Sequence, residues 1–223
     1  MPEHHVKIET MNFITHDVLQ IVTEKPPQFT FVPGQAADVT INKKGWQEEK
    51  RPFTFTSLPD NNYLEFIIKT YPSHKGVTNE LLHLIRNEEL IVHEVFGTIG
   101  YKGEGVFIAG GAGVTPFISI FRDLRSKHAL GNNTLLFANK TKADIILEKE
   151  LQEMLGNNFI NILSAEEADG YAYGMITKDL IAAHRDGPNT LFYLCGPPPM
   201  MKAVEKSLAS LRIPKKSIFK EEF

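Results

Sequence analysis

The chain has 223 residues, which at about 150 per domain makes one large domain or two small ones, and its 42% hydrophobic and 23% charged composition is that of a globular protein with a sizeable core. Lys+Arg 24 against Asp+Glu 27 leaves a net charge of -3, which argues against a nucleic-acid binder driven by a basic surface. A single cysteine, Cys195, excludes an internal disulfide framework, a four-cysteine iron–sulfur cluster and a zinc finger within this chain.

The N-terminus is polar and lacks the apolar stretch of a signal peptide. No apolar run approaches the ~20 residues that cross a bilayer. The expectation is a protein of a reducing cytoplasm, with no nucleic-acid or membrane partner.

Short strand-like runs at 6–13, 17–23, 38–41, 53–56, 63–70 and 90–96 fill the first hundred residues, separated by turn signals such as Pro33-Gly34 and Pro59-Asp60-Asn61-Asn62. That spacing predicts an antiparallel barrel or sandwich. One helix interrupts it at 77–86, with Leu81, Leu82 and Ile85 on one face. Gly97, Gly100 and Gly103 mark a boundary, so the expected domains are 1–102 and 103–223. Beyond it strands and helices alternate: strand 106–109, helix 115–124, strand 134–138, helix 147–155, strand 159–163, helix 177–184, strand 191–194, helix 198–208 and a last strand at 217–219. Such units build a doubly wound parallel sheet covered on both faces.

Chemistry-bearing segments fall at the ends of these elements. Gly110-Gly111-Ala112-Gly113-Val114-Thr115-Pro116 follows an apolar strand and opens a helix. Its glycines let backbone approach a ligand closely, and the helix start offers free N–H groups to a diphosphate; a tight turn without a ligand is the plainer reading. Cys195-Gly196-Pro197-Pro198-Pro199-Met200 stops another strand at the carboxyl edge, where open α/β sheets bind ligands. In the first half, Arg51-Pro52-Phe53-Thr54 alternates a cation, an aromatic and a hydroxyl, suited to phosphate and a planar ring, though an ordinary edge strand reads the same way. Lys75-Gly76-Val77-Thr78 precedes the first helix, where Thr78 reads either as a cap or as a phosphate contact. The 8 histidines, His4-His5 included, show no ligand spacing, so no metal is expected.

Together and in this order, these segments resemble the ferredoxin–NADP reductase superfamily, which pairs a flavin-binding barrel with a nicotinamide-nucleotide domain. The resemblance runs from Phe31 to the C-terminus and implies an FAD-dependent NAD(P)H oxidoreductase. Arg51-Pro52-Phe53-Thr54 resembles the R-x-Y-S/T flavin motif. Arg51 would hold the diphosphate, Phe53 would lie against the ring and Thr54 would bond near flavin N5. Pro52, Ile67, Lys69, Gly76, Val77, Thr78 and Thr115 complete the implied FAD set. Gly110, Gly111, Gly113, Val114 and Thr115 resemble the GGxGxTP nucleotide motif, and Cys195, Gly196, Pro197 and Met200 the CGPPxM motif beside the nicotinamide.

The chain closes on Glu221-Glu222-Phe223, similar to an E-x-Y ending, so Phe223 would cover the flavin and Glu221 would be the matching acid. Catalytic roles are thus implied for Thr54, Cys195 and Glu221. The stretch 135–147, with Asn139 and Lys140, is close to cytochrome b5 reductases, which prefer NADH; Lys140 is also a candidate 2′-phosphate ligand. The acceptor implied is a small carrier such as flavodoxin or ferredoxin. Alternatives are a reductase component for an oxygenase or cytochrome, and a non-catalytic flavin- or nucleotide-sensing module.

Overall fold

The computed structural model describes residues 3–221. The first six strands, β1 (His4–Phe13), β2 (Val18–Glu24), β3 (Ala36–Ile41), β4 (Arg51–Thr54), β5 (Tyr63–Lys69) and β6 (Glu89–Phe96), form an antiparallel sheet in the order β4-β3-β6-β1-β2-β5. A bridge between Phe55 and Phe66 joins the two ends and closes the sheet into a barrel. Closure removes the exposed edges that would otherwise invite pairing with another chain. Aromatic rings fill the interior: Phe31 stacks on Phe55 at 4.4 Å between centroids, and Phe66 lies 5.3 Å from Phe55.

The expected helix at 77–86 is shorter than its periodicity implied. Helix α1 (Val77–Glu80) passes into a 3₁₀ turn, Leu81–His83, and the chain is extended again at Leu84. This change of pitch turns Leu84 inward and leaves Ile85 exposed. Leu81 remains buried.

The second half is a parallel sheet in the order β10-β9-β8-β7-β11-β12. Its strands are β7 (Gly105–Gly110), β8 (Thr134–Asn139), β9 (Phe159–Leu163), β10 (Ala172–Tyr173), β11 (Leu191–Cys195) and β12 (Ile218–Glu221). Every residue of β7 is buried, as a strand covered on both faces requires. Helices α2 (Thr115–Ser126) and α3 (Glu148–Leu155) accompany one face, where Phe107 and Tyr193 stack at 4.2 Å and pack with Phe117 and Phe121. Helices α4 (Lys178–Ala183) and α5 (Pro198–Ser210) accompany a second core built on Ile108, Leu136, Leu194 and Val204. The two-residue β10 carries too little periodicity to be legible in sequence, and β12 runs to Glu221, past the expected 217–219.

The two sheets are joined by more than the linker. The α2-side core continues into the barrel through Val18 and Ile67, with Ile99 of the linker between them. The Gly34 N–H donates to Ser119 Oγ at 2.9 Å. Arg122, on α2, donates through Nη1 to the Thr56 carbonyl at 2.8 Å and to Glu65 Oε1 at 2.5 Å. Its Nε and Nη2 grip Glu150 on α3 at 2.6 and 2.8 Å. Burial alone would pull this guanidinium's pKa down, but Glu150 and Glu65 more than offset it and hold it above the usual value. No helix among the described residues is long and apolar enough to cross a membrane.

Candidate active site

A cleft of about 670 Å³ runs between the two sheets, within the range of small-molecule sites. The barrel contributes Pro52, Phe53 and Thr54 from β4, Ile67 and Lys69 from β5, and Thr78 from α1. The parallel sheet contributes its carboxyl edge: Gly110, Gly111, Gly113 and Thr115 after β7, Asn139 and Lys140 after β8, and Cys195, Gly196, Pro197 and Met200 after β11. Segments more than 30 residues apart in sequence thus face one another across a single space.

The glycine turn and the proline corner touch. A Cβ on Gly113 would lie 2.3 Å from the Cys195 carbonyl oxygen and 2.7 Å from Gly196 Cα, so only glycine allows this approach. Pro116 lies in the first turn of α2, where a missing N–H costs nothing, and the Thr115 N–H is spent on the Ala112 carbonyl of the 3₁₀ turn that leads into the helix. Met200 packs its thioether into the notch left by Gly110 and Gly196. Asn139 is 7% exposed, and neither its amide nitrogen nor its amide oxygen finds a partner among the described residues. A buried amide left this way forfeits its hydrogen bonds unless a ligand supplies a donor and an acceptor.

Cys195 pairs in register with Glu221 on the neighbouring β12. Burial, with the Glu221 charge adding, pushes the thiol up to about 12, so it faces the cleft as a neutral, compact apolar group. Glu221 stands behind it, 7% exposed, with Oε2 unpartnered among the described residues. Burial raises its carboxyl to about 7, partly countered by a backbone hydrogen bond from Thr98.

This has a pH signature. An acid whose native pKa lies above its ordinary 4.5 lends stability at low pH that is lost as pH rises through 4.5 toward 7. At ~1.4 kcal/mol per pKa unit the loss is on the order of 3 kcal/mol. Glu221→Gln should flatten the fall in Tm between pH 5 and pH 8; an unchanged fall would assign it to another group.

Not every expected residue reaches the cleft. The Arg51 side chain is exposed and turned away, donating to the Lys50 carbonyl at 2.7 Å and lying 3.4 Å from Glu49. The acidic turn before β4 offers it a nearer counter-charge. Val77 and Val114 are buried in the core, and Gly76 is not among the residues that line the cleft. Phe223 lies outside the described residues. The cleft also includes Met175, and with it Ser164, Tyr71 and Asp144, three residues that were not among the expected site residues. Ser164 follows the last residue of β9, and the carboxyl-edge rule that singled out Cys195 applies equally to it. Thr141-x-x-Asp144 is a capping box, a legible signature, although its reach to the barrel is not local.

Residues 3–134 match the family model described as FAD-binding domain, and residues 107–206 that of the oxidoreductase NAD-binding domain. The chain belongs to the FAD- and NAD-binding oxidoreductases that these family models describe. Among its relatives, the reductase component of propane 2-monooxygenase from Mycolicibacterium smegmatis is 31% identical, over 94% of this chain and 64% of that protein. NADH-cytochrome b5 reductase 2 of Mycosarcoma maydis is 26% identical, over 85% and 60%. The chain thus spans less than two thirds of the length of these curated relatives. A ferredoxin NADP+ reductase from Neisseria gonorrhoeae, solved with FAD and NADP, shares the fold at a TM-score of 0.84 and 17% identity, over 99% of this chain and 98% of that one.

Proposed function

We propose that this chain is an FAD-dependent NAD(P)H oxidoreductase that passes electrons to a separate protein. The observation that carries the reading is one cleft with a flavin-type wall on the barrel and, opposite it, a glycine cradle, a helix start and the unpartnered Asn139 amide. These residues fit both groups: Phe53 and Ile67 offer apolar surface to a ring, and the turns after β7 and β11 offer N–H groups to phosphate.

Held there by Phe53, Thr54 and Ile67, FAD would supply the redox chemistry, acceptance of a hydride from the nicotinamide and delivery of its two electrons to an acceptor. The chain's own part is orientation, which supplies much of the acceleration in such transfers. Thr54, 6% exposed, would hold the flavin edge through its hydroxyl. Cys195 and Gly196 would bound the nicotinamide, Asn139 would pair with a ligand amide or hydroxyl, and Glu221 would hold a proton behind Cys195. Arg51 reaches a diphosphate only by leaving Glu49, a surface contact worth under ~1 kcal/mol.

Likeness to cytochrome b5 reductases supports NADH as donor, with Lys140, whose ammonium pairs with no other described residue, ready for a 2′-phosphate when NADPH enters. The acceptor is a small carrier such as flavodoxin or ferredoxin, or an oxygenase component or cytochrome, as the names of the relatives favour. An NADH-driven screen of these carriers with the FAD-loaded chain tests the reading: rapid reduction of one class names the acceptor. Failure with all of them, free dyes included, would refute the activity. Thr54→Val should slow flavin reduction ten- to a hundredfold with FAD content unchanged, as stopped-flow absorbance will show; an unaltered rate removes Thr54 from the reacting edge.

A further inference from the structure

We propose that Asp144 is a positioning residue that ties the nucleotide-binding turn after β8 to the flavin-side strand β5. Its Oδ2 accepts from the Thr141 N–H at 2.9 Å and from Thr141 Oγ at 2.7 Å. That closes the turn carrying Asn139 and Lys140. Its Oδ1 faces the other way, across the domain boundary, 4.0 Å from Lys69 Nζ and 3.7 Å from His16 Nε2. Lys69 in turn pairs with Asp17 at 2.8 Å, and the Asp17 carbonyl accepts from Thr70 N and Oγ at 2.7 and 2.9 Å. One cation of the barrel therefore stands between an acid of its own domain and an acid of the other, and the cation and the second acid line the cleft.

Burial would raise the Asp144 carboxyl, but the Thr141 hydrogen bonds and the Lys69 and His16 charges outweigh it, leaving it ionised and below its ordinary range. The donor atoms of His16, Asp17 and Asp144 lie within 4.8 Å of one another; the Lys69 ammonium is the cation among them. The groups facing Asp144 are therefore Lys69, His16 and Asp17. The Lys69 and His16 contacts are long and partly exposed, and such pairs add little to global stability. Their consequence is geometric: they set the distance between the wall that carries Lys69 and the turn that carries Asn139, and misplacement by 1 Å can cost ~10²-fold in rate.

The inference rests on the proposed reductase reading, and its test separates the two. Asp144→Asn keeps an oxygen acceptor for Thr141 and loses the charge; Thr141→Val removes the cap and leaves the charge. In anaerobic stopped flow of the FAD-loaded protein with NADH, Asp144→Asn should reduce its flavin at least tenfold more slowly. Its nucleotide affinity, FAD content and Tm should change little. The charge-transfer absorbance of the NAD+ complex, which reports ring stacking, should weaken. His16→Ala should give a smaller slowing that is not additive with Asp144→Asn. Wild-type kinetics and absorbance in Asp144→Asn, with a defect confined to Thr141→Val, would make Asp144 a local cap and overturn the proposal alone. A wild-type flavin that NADH does not reduce would overturn both.

Discussion

Arg122→Ala should lower stability by about 3–5 kcal/mol, the range for removing one partner of a buried ion pair, and bring Tm down by roughly 10 °C for a chain of this size. The substitution strands Glu65, which is 5% exposed and whose Oε1 takes both Arg122 and the Thr56 hydroxyl, while Gln20 holds the other oxygen at 2.8 Å. It also strips the Thr56 carbonyl of a donor and frees Glu150. All three partners depend on one guanidinium, and two belong to the opposite sheet, so the loss loosens the interface as well as the fold. Lys127→Ala, which removes an exposed ion pair with Asp123 on the same helix, should cost under ~0.5 kcal/mol. Thermal melts of the two variants together check the argument; equal shifts would mean that the Arg122 cluster carries no interdomain stability.

Gly113→Ala should slow reduction of the flavin by NADH about a hundredfold while the barrel keeps its FAD. The added methyl would stand 2.3 Å from a carbonyl oxygen and 2.5 Å from its carbon, both backbone atoms at the end of a central strand. Neither can swing aside as a side chain would. The turn after β7 and the turn after β11 must separate by roughly 1 Å, a displacement that orientation-dependent transfer tolerates poorly. Gly111 offers the contrast: it needs a left-handed φ of +51°, yet a Cβ there would meet nothing within 4 Å. Gly111→Asn, a residue that adopts this conformation at small cost, should leave the contact between the turns in place and slow reduction far less than Gly113→Ala. Stopped-flow reduction of both variants decides whether the contact between the turns, rather than their glycine content, matters.

The two architectures and most of the cleft were legible because they rest on local signals. Hydrophobic period and turn residues gave the strands, and three glycines after an apolar run gave the nucleotide turn. The strand-end position of Cys195 placed it beside that turn without any long-range knowledge. Illegible features depend on contacts between distant segments. Arg122 reads as one more polar residue on an amphipathic helix, and nothing near it in sequence announces Glu65. His16 and Asp17 sit in a plain turn, and only the packing of the sheets brings them to Asp144. Arg51 is the converse case: its motif is clear, but the local competition from Glu49 decides where the side chain rests.

Anaerobic mixing of the FAD-loaded protein with one equivalent of NADH, followed by flavin absorbance, addresses most directly the claim that one cleft brings the two rings together. The yellow colour should bleach within seconds through a transient charge-transfer absorbance, with NADPH slower. A flavin that stays oxidised while NADH binds would mean that the cleft senses nucleotides without passing their electrons, and would contradict that claim.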